Sequence, residues 1–206
     1  YVGEQGWELY FPFSEGLGLW DALFALGVTP VGIETYANSR RLEKSLRLQN
    51  DDLEIDYNLY EAGLSRPKVK AADFHGKDAY VAQRELPEQA AYLCTFVLED
   101  TTDENGVVRY PVGHWPLLDP ETQEVIIDTH GRRSYTTSVA FGPSLGQNIA
   151  MGYLPTDRAV EGERVLMEYF GCFFDVFEAL KAMHILEKAL NVFCRMAGFR
   201  GIGNLS

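Results

Sequence analysis

The chain is short of positive charge. It has 18 Lys and Arg against 30 Asp and Glu, a formal charge of -12. Nucleic-acid phosphates call for clustered Lys and Arg; here the basic residues are scattered, which argues against a nucleic-acid partner. Cysteine is scarce as well. Cys94, Cys172 and Cys194 are odd in number and lack metal-ligand spacing, so neither a disulfide framework nor a zinc site is expected. Reduced, buried thiols in a cytoplasmic compartment, or in a mitochondrial matrix, fit better. His75, His114, His130 and His184 form no recognisable metal set. No apolar run approaches the ~18–20 residues of a membrane helix, so the chain is expected to be soluble with no membrane partner. Internal repeats and low-complexity linkers are also absent.

Apolar residues are plentiful. They make up 46% of 206 residues, enough for real cores. Residues 1–12 alternate around Gly3 and Gly6, with Trp7, Leu9 and Phe11 on one face and Glu8 and Tyr10 on the other, the pattern of a strand. After Ser14, Leu17, Trp20, Leu23, Phe24 and Leu26 recur at helical spacing until Gly27, and this helix is expected to pack on the strand. Residues 28–33 are a short apolar connection. Leu42, Leu46 and Leu48 stand among Arg40, Arg41, Lys44 and Arg47, so 38–48 reads as a half-buried helix or helical turn. An acidic loop follows, then a compact turn over 57–64, opened by Asn58 and ended by Gly63.

Downstream the texture changes, with a boundary near 70–76. Residues 78–84 read as a short helix closed by Leu86-Pro87. Strands are expected over 90–98, 107–110, 115–118, 124–128, 135–141, 148–154 and 164–170, with an acidic turn at 99–106; their close spacing implies a closed or sandwiched β unit. Phe173, Val176, Phe177, Leu180, Met183, Leu186, Leu190 and Phe193 then recur at helical spacing, predicting an amphipathic helix over 172–199. The fold class is α+β.

Four motifs stand in order along this framework. YVGEQGWELY occupies 1–10; Arg41-Leu42-Glu43, Asn50-Asp51-Asp52 and Glu61-Ala62-Gly63-Leu64 form the second; Val69-Lys70 and Asp73-Phe74-His75-Gly76-Lys77-Asp78-Ala79 the third; SVAFGPSLGQNIAMGY at 138–153 the fourth. Together they resemble the aminomethyltransferase family, meaning the glycine cleavage T-protein and its relatives, over about 1–171. The resemblance implies three parts: the C-terminal part of a folate-binding aminomethyltransferase α/β domain over 1–70, an antiparallel β-barrel domain over 71–171, and an atypical helical tail over 172–206. Tyr1 falls inside the first motif and the chain does not begin with Met, so an upstream portion is expected.

The implied cofactor is tetrahydrofolate. Glu8 matches the family glutamate that binds the pterin, since a carboxylate can accept two N–H bonds from a 2-amino-4-oxo ring edge in one plane. Tyr1 matches a tyrosine lining the same pocket, where stacking is expected. On composition alone Glu8 is a solvent-facing strand residue and Tyr1 an ordinary strand aromatic. Glu4 reads as a brace of its turn, and Arg41, Glu43 and Glu61 as structural ion-pair members. Arg132 and Arg133 are two solvated charges, or a site for an anion such as the folate glutamate tail. Residues 141–146 lack the Lys-Ser/Thr pair of a phosphate loop.

Two departures shape the substrate. Ala37 stands where the family often has a folate-contacting arginine, and Gln49 where it has an aromatic contact. Asn38-Ser39 ahead of Arg41-Leu42-Glu43-Lys44 is closer to the folate-binding C-terminal region of dimethylglycine and sarcosine dehydrogenases. The resemblance therefore implies one-carbon transfer from a small N-methylated amine, a methyl or aminomethyl donor. FAD is implied only for a longer parent with a fused or separate flavoprotein domain. The family's catalytic aspartate lies upstream of these motifs, so no catalytic residue is assigned, and whether the chain is itself an active enzyme stays open. A folate-dependent demethylase of a sulfonium or methoxy compound, and a non-catalytic interaction module on the same fold, are the alternatives.

Overall fold

A computed structural model describes residues 5–65 and 68–181, with side chains to 177. Six antiparallel strands make one curled sheet: β1 (Ala91–Leu98), β2 (Leu117–Leu118), β3 (Thr136–Gly142), β4 (Gln147–Pro155), β5 (Arg164–Tyr169) and β6 (Cys172–Lys181), ordered β2-β5-β6-β1-β4-β3. This half-barrel beside a few short helices is the α+β class expected.

Both faces of the sheet are covered, and β4 shows how. Its side chains alternate with period two: Ala150 and Leu154 enter one cluster with Cys94, Phe96, Val165, Met167 and Val176. Ile149, Met151 and Tyr153 point the other way, onto Leu42 and Tyr57. The stretch around 40–62 is thus a lid on the outer face of β1, β3 and β4. Burying Leu42, 1% exposed, contributes about 1.5–3 kcal/mol.

Several elements differ from the sequence reading. Residues 172–181 are a strand, not the start of a helix. Phe170 and Gly171, with φ of 50° and 77°, make a two-residue turn that sends the chain straight back along β5. Phe174 and Val176 are then buried while Phe173 and Asp175 are exposed, a period of two that the apolar residues at 173, 176, 177 and 180 had disguised as helical. The rest of the expected tail, 182–206, lies outside the described residues.

Residues 107–110 and 124–128 make isolated bridges through Val108, Val125 and Ile127 rather than strands. The helix expected over 38–48 is a π-type turn, Thr35–Ser39, running into one α-helical turn, α2 (Arg40–Glu43). Helices α1 (Gly16–Ala25) and α3 (Lys77–Arg84) form where the spacing placed them, α1 stopped by Gly27 at φ 80°. Residues 5–12 pair with no strand among the described residues, and α1 buries none of its side chains. Their expected mutual packing is therefore not what orders them.

Candidate functional site

The most enclosed polar centre of the described chain lies under the lid. Asp52 and Arg41 are both fully buried and ion-paired. Asp52 Oδ2 accepts from Arg41 Nη1 and, at 2.9 Å, from the Leu48 amide; Oδ1 accepts from the hydroxyls of Thr137 and, at 2.8 Å, Ser138. Consecutive strand residues normally face opposite sides. A bulge between Thr136 and Ser138 lets both hydroxyls reach one carboxylate.

Arg41 spends its other donors on Ala37 O at 2.7 Å, Leu46 O at 3.2 Å, Asn38 Oδ1 at 3.1 Å and Ser138 Oγ at 2.7 Å. All five guanidinium N–H groups and all four carboxylate lone pairs thus have partners. Nothing is left for a ligand. This is a brace, the structural role read for Arg41, and it ties the lid to β3. Tyr153 extends it from β4, its hydroxyl donating to Asp52 O at 2.8 Å.

A second cluster abuts the first. Arg132 donates Nε to Asp128 Oδ2 at 2.6 Å, Nη2 to Glu61 Oε1 at 2.5 Å and Nη1 to Asp56 O at 2.5 Å. Its guanidinium lies 4.3 Å over the Tyr57 ring, which stacks on Tyr153 with centroids 3.5 Å apart and planes within 3°. Burial pushes the Tyr57 hydroxyl well above the usual tyrosine range, partly offset by Arg132, and burial does the same to Tyr153. Arg132 is therefore neither solvated nor an anion site, since two carboxylates already neutralise it. Arg133 is exposed. Glu61 is the ion-pair member expected, whereas Glu43 clasps the β3–β4 turn by accepting from the Ser144 amide at 2.6 Å and hydroxyl at 3.0 Å.

Of the two residues assigned to folate, Tyr1 lies outside the described residues. Glu8 is exposed on the extended arm 5–12, where Oε2 accepts from the Tyr10 hydroxyl at 2.6 Å. That bond is the main reason the Tyr10 hydroxyl sits above its ordinary pKa. Trp7 and Tyr10 on either side are about nine-tenths exposed, 91% and 90%. Glu8 thus offers an accessible carboxylate between two accessible aromatic rings, a donor set compatible with a flat, N–H-bearing heterocycle.

His114 approaches Asp51 at 3.7 Å on the surface. No group of His, Cys, Asp or Glu among the described residues could hold a metal ion, and no helix among them is long and apolar enough to cross a membrane. Cys94 is buried and free, as expected of a structural thiol.

This arrangement, a lid segment braced onto an antiparallel half-barrel, is that of a folate-enzyme family. Residues 1–70 match the glycine cleavage T-protein N-terminal domain and 114–176 its C-terminal barrel domain. The chain is 31% identical over 170 residues to an aminomethyltransferase of Desulfitobacterium hafniense, covering 79% of this chain and 41% of that protein. It is 34% identical over 169 residues to one from Listeria monocytogenes, covering 80% and 41%. The crystal structure of the glycine cleavage system aminomethyltransferase T from Bartonella henselae superposes with a TM-score of 0.64 at 24% identity, over 82% of this chain and 44% of that one. The chain belongs to the aminomethyltransferase family, and it spans about two fifths of the length of these curated relatives.

Proposed function

We propose that this chain carries part of the folate site of a tetrahydrofolate-dependent one-carbon transferase. The observation that supports it is Glu8: in a family member, the carboxylate of the first motif stands accessible between Trp7 and Tyr10. When bound, tetrahydrofolate supplies the nitrogen that accepts the one-carbon unit. Glu8 orients the pterin by accepting two of its N–H groups, and Tyr1 stacks on the ring. Arg132 takes no share in binding the glutamate tail because Glu61 and Asp128 hold it.

The donor is a small N-methylated amine rather than a carrier-bound aminomethyl group. Ala37 and Gln49, in place of an arginine and an aromatic, favour that choice over the glycine cleavage reaction, and they also favour the second reading of a non-catalytic folate-fold module. A reducing compartment, cytoplasm or matrix, fits the free thiol of Cys94. Calorimetric titration with 5-formyltetrahydrofolate tests the site. Binding that weakens at least tenfold in Glu8→Ala supports it; equal affinity in both proteins, or no heat from either, rejects it.

A further inference from the structure

We infer that residues 5–33 are an interface arm, built to dock on a polypeptide bearing the part of the aminomethyltransferase fold that this chain does not span. The arm has the composition of a core and the exposure of a surface. Trp7, Tyr10, Phe13, Leu17, Trp20 and Phe24 are all exposed, Phe13 completely, and Trp20 and Phe24 stack only on each other with centroids 6.5 Å apart. Aromatic side chains bury roughly 150–250 Å² each. The four exposed aromatics at 7, 10, 13 and 20 thus reach about the 800 Å² per partner of a stable interface, and soluble monomers rarely leave a patch of that size open.

Three observations select the occupant. Residues 5–12 are extended and alternate in the manner of a strand, yet pair with no strand among the described residues. Main-chain groups in that state are satisfied by joining another sheet. The arm carries Glu8, Glu15 and Asp21 and no Lys or Arg, which disfavours an anionic lipid surface. Finally, the family's N-terminal domain matches 1–70, while more than half the length of the relatives has no counterpart in this chain. A strand and an apolar helix that bury nothing at home fit the complement of that same domain.

Co-expression tests the docking. The full 206-residue chain is produced with a tagged Desulfitobacterium hafniense aminomethyltransferase fragment lacking the 170 aligned residues, beside a control pairing that fragment with its own 170-residue piece. The expected result is co-purification with this chain, slowed amide exchange across 5–33, and at least a tenfold loss of capture in Trp7→Asp and in Trp20→Asp. Phe170→Asp, on an exposed aromatic at the far hairpin, leaves capture unchanged. Because α1 buries nothing, both arm variants keep the barrel's thermal melt, so lost capture is not lost folding.

Capture by the control piece but not by this chain overturns the inference. So does capture that ignores Trp7→Asp, a chain that self-associates through the arm, or an arm that binds phosphatidylserine vesicles instead. No folate is present, so the result is separate from the calorimetric one.

Discussion

Replacing Asp52 by Ala removes the carboxylate from a centre where Arg41 is fully buried. Arg41 keeps its four neutral acceptors, so it is not stripped of hydrogen bonds; it loses the opposite charge that offsets its desolvation. Breaking a buried pair from one side costs about 3–5 kcal/mol. The hydroxyls of Thr137 and Ser138 and the Leu48 amide lose their acceptor as well. Because the hydroxyls can rotate to other partners, these losses overlap with the first figure rather than add to it. Domain stabilities are about 5–15 kcal/mol, so the variant still folds. With a urea slope of about 2 kcal/mol per molar, the midpoint falls by about 1.5–2.5 M. Trp115, half-buried beside β5, reports the transition by fluorescence once Trp7 and Trp20, both exposed, are replaced by Phe. The double variant Arg41→Met, Asp52→Leu removes both charges and recovers more than half of the loss. A cost below about 1 kcal/mol for Asp52→Ala, the range of surface pairs, or a double variant no more stable than the single, refutes the claim that this pair is a desolvated brace.

Arg132→Met leaves Glu61 buried without its guanidinium and removes the ring contact to Tyr57; the same urea titration should show a loss of about 3 kcal/mol, with Arg132→Lys restoring only part because a single ammonium cannot serve two carboxylates in that fork. Gly152→Ala would bring a Cβ within 2.5 Å of Tyr135 O and 3.2 Å of Thr136 Cα, so β3 and β4 must part slightly, at about 1–3 kcal/mol, visible as a lowered melting temperature. Acid lability has a defined direction. The Val107 amide, followed by Arg109, holds the Asp103 carboxyl below the usual range, and the amides of Thr122 and Glu121 with Arg158 do the same for Asp119. A lowered folded-state pKa stabilises fully above the unfolded value, near about 3.9, and the contribution fades as pH falls through the folded one. Thermal melts should be flat from about pH 5 to 7 and fall below about pH 4, less steeply in Asp103→Asn.

The sheet was legible where strands were long and bounded by turn residues. Residues 90–98, 135–141 and 148–154 needed only period-two alternation, and β1, β3 and β4 lie there. Legibility failed at 172–181, where four apolar residues satisfied a helical and an extended spacing at once and the decision belonged to the Phe170-Gly171 turn. A positive φ at phenylalanine is not a local preference; pairing with β5 and β1 imposes it. Arg41 and Glu61 were read as structural ion-pair members, but not their partners. Asp52 is 11 residues from Arg41, and Glu61 is 71 from Arg132, so the sheet, not the local pattern, chooses the match.

Those long-range pairs carry the functional architecture. The lid belongs to the segment that matches the family's N-terminal domain and β3 to the one that matches its barrel, and Asp52 holds bonds to Arg41 in the first and to Thr137 and Ser138 in the second. One buried carboxylate therefore fixes the lid against the barrel at three points, with Tyr153 adding a fourth through the Asp52 carbonyl. The contrast with Glu8 is physical. A carboxylate whose every lone pair is spent inside the fold has no capacity left for a ligand. One that stands exposed, with only a neighbouring tyrosine to receive, is the carboxylate still able to bind. Chemistry in this chain is thus to be sought on the open arm, and the buried centre is what holds that arm's anchor in place.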